Sequence, residues 1–310
     1  MLKDFLSING LSIYQFNEML DIFQKVKKNP KKYKNKLQDK ILAMIFQKPS
    51  LRTRMTFEVG MLQLGGEAVY LSPTDIQMGK RETPYDVGKN LERWIDGIMI
   101  RTFDHKDVID LAETCRVPVI NALTDYLHPC QGMADFATIK EKKTALSQLK
   151  LAYVGDGNNV CHSLIFAASK AGAQMEIATP KGYEPDNEVI KKAEIDGKET
   201  GSRVNVTNNP EEAVKNADVV YTDTWASMGQ EHEREERIKI FTPFQVNEKL
   251  MSKAKNDALF MHCLPAHRGE EVTDEVIDSS QSEVYNQAEN RLHIQKVILL
   301  LLLEKQDRNG

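Results

Sequence analysis

The sequence predicts an α/β protein of two domains, each a parallel sheet flanked by helices, with the last helix returning to the first domain. Three observations carry this. A chain of 310 residues exceeds what a single hydrophobic core usually organises. Short apolar runs alternate with helical patterns along its whole length, which signals strand–helix–strand units and hence parallel sheets. The alternation restarts after a charged stretch, IKEKKTALSQ at 139–148, which reads as a junction.

Taken in order, ILAMIF (41–46) is a buried strand, short and apolar, with a turn at Pro49 behind it. From Thr53 the pattern turns helical, with Met55, Val59 and Leu62 at helix spacing as far as Gly65 and Gly66. EAVYL (67–71) and GIMIR (97–101) are the next strands, VIDLAETC (108–115) a helix and VPVINAL (117–123) a strand. LKLAYVGDGNNV (149–160) restarts the pattern with an apolar strand and a glycine turn, followed by the helix HSLIFAASKAG (162–172). MEIATP (175–180), ADVVYTDTW (217–225) and ALFMHCLP (258–265) supply further strands, and KKAEIDGKET (191–200) a helix. The final helix, 288–305, has no strand after it and is expected to pack back on the first domain. The domains expected are therefore 1–142 joined by 288–310, and 143–287.

Charge and composition exclude several classes. With 41 basic against 45 acidic side chains the net charge is -4, so neither nucleic acid nor an acidic membrane is an expected partner. The basic stretch at 25–40 could suggest an RNA arm, but reads better as a solvated helix end and turn around Pro30. The apolar run 297–303 is far too short for a membrane span and fits a fully buried helix. The opening residues, MLKDFLSINGLSIYQF, lack a basic leader with a long apolar run, so no secretory leader is expected. Cys115, Cys130, Cys161 and Cys263 form no C-x-x-C pair, which fits a reducing cytoplasm.

Four segments carry chemistry. Ser50-Leu51-Arg52-Thr53-Arg54 follows a strand and opens a helix. A helix start offers unbonded N–H groups and partial positive charge, and the guanidinium fork matches phosphate oxygens. A capped helix with surface arginines is the alternative, and the motif favours phosphate over it. His128-Pro129-Cys130-Gln131 also precedes a helix; His128 can donate to a carbonyl oxygen and Gln131 can bind an amide, although alone it reads as a helix-start histidine. Asp223, in DTWASMGQE, ends a strand where open α/β sheets bind ligands, and suits an ammonium group as well as a helix cap. HCLPAHRGEE (262–271) follows another strand. Its residue types suit zinc or a thiol nucleophile. No second Cys or His cluster lies nearby in sequence, and no metal is expected.

Together, in this order, the four segments resemble the aspartate/ornithine carbamoyltransferase family, and the resemblance runs from Phe46 to Arg291. SLRTR is similar to that family's S-T-R-T-R motif for carbamoyl phosphate, and HPCQ to its H-P-x-Q. DTWASMGQE and HCLPAHRGEEV resemble the elements of its ornithine-using members. The resemblance implies that Ser50 to Arg54 hold the phosphate, and that Arg101 bridges phosphate and carbonyl oxygen. His128 and Thr53 would bind that oxygen, joined by Arg291 from the last helix, while Gln131 would bind the carbamoyl nitrogen. Gln77, in SPTDIQMGKRET, would reach the site of a neighbouring copy, giving a homo-oligomer built from trimers with shared sites. Asn159, Asp223, Ser227 and Met228 would bind ornithine, and Cys263 and Leu264 would lie beside the reacting groups. Leu51 departs from the motif's Thr, so any contact there must come from backbone N–H.

The implied reaction takes carbamoyl phosphate and L-ornithine to citrulline and phosphate, with Arg101, His128, Asp223 and Cys263 catalytic and no cofactor or metal. Aspartate as acceptor would call for cations in the second-domain loops; putrescine lacks only the carboxylate and is harder to set aside. A dehydrogenase reading rests on Gly155-Asp156-Gly157, but Val160 stands where a dinucleotide fingerprint wants a small residue. A catalytically silent scaffold of the same fold is disfavoured because the polar positions are filled by the expected residue types.

Overall fold

The computed structural model describes residues 2–79, 81–143, 145–226 and 233–304. The chain forms two compact units: Met1–Ala137 with Glu289–Gly310, and Thr138–Ala288.

In unit 1 the strands β1 (Ile41–Phe46), β2 (Glu67–Leu71), β3 (Gly97–Arg101) and β4 (Val119–Leu123) form a parallel sheet in the order β2-β1-β3-β4. The helices of this stretch are α1 (Ile13–Lys28), α2 (Leu51–Leu64), α3 (Pro73–Ile76), α4 (Pro84–Leu91), α5 (His105–Thr114) and α6 (Pro129–Lys142), the last of which runs past the unit's boundary. β1, β3 and β4 are almost wholly buried, as their largely apolar runs predict; β2 at the sheet edge is half exposed. α2 starts two residues before the helical pattern becomes legible, because Ser50 caps it, its hydroxyl accepting from Thr53 N–H at 3.3 Å. It stops at Gly65, where φ is +89° and a Cβ would lie 2.7 Å from the Lys34 carbonyl oxygen, so glycine alone fits.

Unit 2 holds β5 (Lys150–Val154), β6 (Gln174–Ala178), β7 (Arg203–Thr207), β8 (Val219–Thr222) and β9 (Leu259–His262), parallel and ordered β7-β6-β5-β8-β9. Around them lie α7 (Asn159–Ala171), α8 (Asn187–Thr200), α9 (Pro210–Val214), α10 (Arg234–Phe241), α11 (Glu248–Met251) and α12 (Asp274–Ile277). The sequence pattern misses β7, because RVNVT is exposed or half-buried throughout and never forms an apolar run. The last helix, α13 (Val284–Leu303), starts four residues earlier than expected and belongs to unit 1 from Glu289 onward. Its 297–303 run is buried apart from half-buried Leu301. Among the described residues no helix is long and apolar enough to cross a membrane.

Both sheets have a switch point, between β1 and β3 and between β5 and β8, where the connections on the two sides run in opposite directions. Beyond the carboxyl ends of such strands an open α/β sheet leaves a crevice for ligands. Ser50 follows β1 and Arg101 ends β3; Asn158 follows β5 and Asp223 follows β8.

Candidate active site

Unit 1 gathers positive charge at its switch point. Arg101, Thr53, His128 and Arg291 are buried, and the Arg291 guanidinium donates to the Thr53 hydroxyl at 2.8 Å across 238 residues of sequence. Arg101 sits at an irregularity in the sheet: Ile100 pairs with Asn121, but Arg101 pairs with Leu123. Burial, then the guanidiniums of Arg291, Arg101 and Arg52, hold His128 well below the ordinary imidazole range. His128 is therefore neutral near pH 7, and the three guanidiniums give its surroundings a positive field that suits an anion. Gln131, in the first turn of α6, donates its amide to Asp135 Oδ1 at 2.7 Å. Its Oε1 is buried without a hydrogen-bond partner among the described residues. That acceptor suits an N–H donor such as a carbamoyl amide.

Three predicted phosphate residues stand apart from this cluster. The Leu51 side chain is 75% exposed, so its contribution is confined to the N–H of the helix's first turn. Arg54 lies over the Tyr70 ring at 3.9 Å and its Nε donates to Glu58 at 3.4 Å, on the exposed side of α2. Gln77 is exposed, in the left-handed region at the end of α3.

Unit 2 presents a carboxylate. Asp223 is buried just beyond β8; its Oδ1 accepts from the Cys263 thiol at 3.0 Å and its Oδ2 from Asn158 Nδ2 at 2.8 Å. Asn159 is the first residue of α7 and half-buried. Ser227 and Met228 lie outside the described residues. Cys263 and Leu264 follow β9 on a main chain held by His262. Leu264 N–H donates to His262 Nδ1 at 2.8 Å, so the ring proton sits on Nε2 and points to Glu271 Oε1 at 3.1 Å. Glu271 is fully buried and also accepts from His267 N–H at 2.6 Å. Leu264 has φ +60° and is followed by a cis peptide to Pro265.

Asp223, His262 and Cys263 bring ligand atoms within 4.8 Å of one another, but both nitrogens of His262 are already engaged. A second grouping, His267, Glu270 and Glu271, has Glu270 paired with Arg234. The thiol of Cys130 is pushed up to about 12 by burial and donates to the Asn121 carbonyl, which suits packing rather than nucleophilic chemistry. The glycine turn after β5 is explained by packing: a Cβ on Gly157 would lie 2.3 Å from the Pro185 nitrogen, so the chain at 184–185 occupies the space next to it.

Sequence reasoning missed three residues that organise these groups. Lys48, buried, pairs with Asp125 and sits 4.0 Å from the centre of the Phe103 ring, tying together the loops after β1, β3 and β4. Its place two residues before Ser50 is the only local signal. Glu271 lay inside a quoted motif without a role, because its work is done through His262. Asn158 was passed over for its neighbour Asn159, since sequence does not say which of two adjacent asparagines turns toward Asp223.

Comparison with known proteins matches these two arrangements to two family models. Residues 3–141 match the aspartate/ornithine carbamoyltransferase carbamoyl-P binding domain, and residues 147–302 its Asp/Orn binding domain. The chain is 56% identical over 302 residues to an ornithine carbamoyltransferase of Thermococcus kodakarensis, covering 97% of this chain and 95% of that one. It is 55% identical to "Ornithine carbamoyltransferase, anabolic" of Pyrococcus furiosus over 97% of this chain and 95% of the relative. Among solved structures, the ornithine carbamoyltransferase from Pyrococcus furiosus superposes with a TM-score of 0.95 at 53% identity, covering 98% of each chain. The anabolic enzyme from Campylobacter jejuni does so with a TM-score of 0.94 at 38% identity, over 98% of this chain and 100% of that one. The chain belongs to the aspartate/ornithine carbamoyltransferase family.

Proposed function

We propose that the chain transfers the carbamoyl group of carbamoyl phosphate to the side-chain amine of L-ornithine, giving L-citrulline and phosphate. The observation that carries the choice of acceptor is Asp223, a buried carboxylate flanked by Cys263 and Asn158 beyond β8. A carboxylate there attracts a cationic amine and repels aspartate. Unit 1 is the carbamoyl phosphate half. Ser50, Arg52, Thr53 and the first N–H groups of α2 hold the phosphate, Arg101 bridges it to the carbonyl oxygen, and His128 and Arg291 donate to that oxygen. Gln131 Oε1 takes the carbamoyl amide. Unit 2 is the acceptor half, where Asp223, Asn159, Ser227 and Met228 bind ornithine.

The chemistry is acyl transfer. The ammonium loses a proton, the neutral amine attacks the carbonyl carbon, and negative charge grows on the carbonyl oxygen. The intermediate then expels phosphate and sheds a second proton. Preorganised donors lower the barrier because they are already aimed at the oxygen that becomes charged. Alignment of two bound substrates supplies much of the rest. Asp223 and Cys263 are the groups assigned to help the proton away, and the departing phosphate can accept one itself. The test is a citrulline assay with ornithine, putrescine and aspartate offered in turn. Activity with ornithine alone is expected; equal turnover of putrescine would overturn the acceptor assignment.

The pH dependence has a defined sign. Only the neutral amine attacks, and an alkyl ammonium has a pKa of about 10, so kcat/KM for ornithine should rise between about pH 6 and 8. His128 contributes no limb to this rise, because its depressed pKa leaves it neutral across the range. Asp156, pushed up to about 6 by burial against the pull of Arg237, titrates toward the acid end of this range. A rise that continues from pH 7 to 8 therefore reports the amine. A plateau reached at pH 7 would sink the amine account.

The assembly proposed is a homotrimer or a multiple of trimers with shared sites. On α2, Leu51, Met55 and Leu62 are 75%, 49% and 61% exposed, and Val69 on the neighbouring edge strand β2 is exposed too. Such apolar surface beside a free sheet edge suits contact with another copy, and head-to-tail contacts can close a ring. Gln77 and Lys80 are assigned to the neighbouring copy's phosphate site; Lys80 lies outside the described residues. Mixing Gln77→Ala/Lys80→Ala chains with Arg52→Ala chains, each inactive alone, should restore activity on subunit exchange. Exchange proved by mass without recovered activity would end the shared-site reading. The free thiols among the described residues suit a reducing compartment, and the cytoplasm is the location proposed.

A further inference from the structure

Asp223 owes its orientation to a residue outside the sequence-derived set. Asn158 Oδ1 accepts from Val160 N–H at 3.0 Å and from Cys161 N–H at 3.1 Å, capping α7; the Tyr153 hydroxyl lies 3.3 Å away and has the Asp156 carbonyl as its nearer acceptor at 2.8 Å. Those donors fix which end of the amide is oxygen. The nitrogen end must then point the other way, and it meets Asp223 Oδ2 at 2.8 Å. The backbone on either side of this amide is itself held. Gly157 abuts the chain at 184–185 with no room for a Cβ. Tyr153 belongs to β5, the strand paired with β8, from whose end Asp223 projects. Its phenol stays protonated because burial, then the Asp223 charge, raises it well above the ordinary range. The Asp223 carboxylate is thus gripped at both oxygens, by Asn158 on one and by the Cys263 thiol on the other. Each oxygen keeps a second lone-pair direction for an incoming ammonium.

We infer that Asn158 is a positioning residue of the acceptor half-site, using its capping bonds at the start of α7 to lock the rotamer of Asp223 against which the ornithine ammonium binds. The inference deepens the proposed function and rests on it. A cap and a positioning residue make different demands on the side chain. Capping needs only an acceptor, which serine supplies about as well as asparagine. Holding Asp223 needs an N–H donor at the reach of an amide, which serine lacks.

The experiment compares Asn158→Ser and Asn158→Ala with the parent chain. Readouts are KM for ornithine, kcat, carbamoyl phosphate affinity by calorimetry, and Tm. The ornithine KM should rise about tenfold or more in both variants, the order expected for losing one hydrogen bond to a charged group. Carbamoyl phosphate affinity should stay within about twofold of the parent. Tm should fall in the alanine variant and hold in the serine variant. Asn158→Thr, also able to cap, takes the place of serine if that chain fails to fold. A serine variant with the parent's ornithine KM would make Asn158 a helix cap and nothing more. Parallel loss of carbamoyl phosphate affinity would mean general disruption and overturn the inference as well. A parent chain that makes no citrulline would instead overturn the proposed function, and this inference with it.

Discussion

Arg52→Ala is expected to abolish measurable citrulline formation and to weaken carbamoyl phosphate binding at least about tenfold, the scale of one or two lost charge-assisted hydrogen bonds. Arg52 is the second residue of α2, where first-turn N–H groups and the helix dipole already favour an anion. Its guanidinium lies near enough to help depress His128, so the positive field acts on the same small region. The position is half-buried at a helix start, and the fold should survive, with Tm within a few degrees of the parent. Arg54→Ala is the control. Its guanidinium rests on Tyr70 and Glu58, so its loss should leave carbamoyl phosphate affinity close to the parent's. Calorimetry on both variants separates the two arginines of SLRTR. Normal affinity in Arg52→Ala would remove the phosphate assignment.

Arg101→Ala should lower kcat by about a hundredfold to a thousandfold, more than it raises the KM for ornithine. Arg101 is assigned to the oxygen on which charge develops, and an interaction that strengthens in the transition state appears in kcat. It lies at the register irregularity between β3 and β4, and its burial keeps water from competing. Arg101→Lys preserves the charge but not the planar fork, and should recover only part of the loss, because one ammonium cannot span two oxygens as a guanidinium does. Single-turnover kinetics at saturating substrates would check this. A kcat within about threefold of the parent in the alanine variant would move the oxyanion role to His128 and Arg291.

What the sequence determined by itself was whatever depends on neighbours along the chain. Apolar runs declared β1, β3, β4, β5, β8 and β9, because strands buried on both faces are mostly apolar. Ser50 before a helical pattern announced an anion-ready helix start. Four ordered segments, read together, pointed to the family and to an amine acceptor. β7 escaped because RVNVT interleaves its valines with exposed polar residues and leaves no apolar run. Tertiary structure decided which side chains meet. Thr53 and Arg291 are joined across 238 residues, and Asp223 and Cys263 across 40; no local pattern encodes either distance. It also decided between near-equivalents. Arg52 and Arg54, two positions apart on a helix, are rotated by about 200° about its axis, so Arg52 bears on His128 through its charge while Arg54 lies over Tyr70. Asn158 and Asn159 straddle the start of α7, where the cap residue is held by backbone N–H groups and its amide is turned onto Asp223. Residue type fixes what a side chain can donate or accept. Where that capacity is spent is set by strand order, helix phase and the packing that makes one rotamer cheaper than the rest.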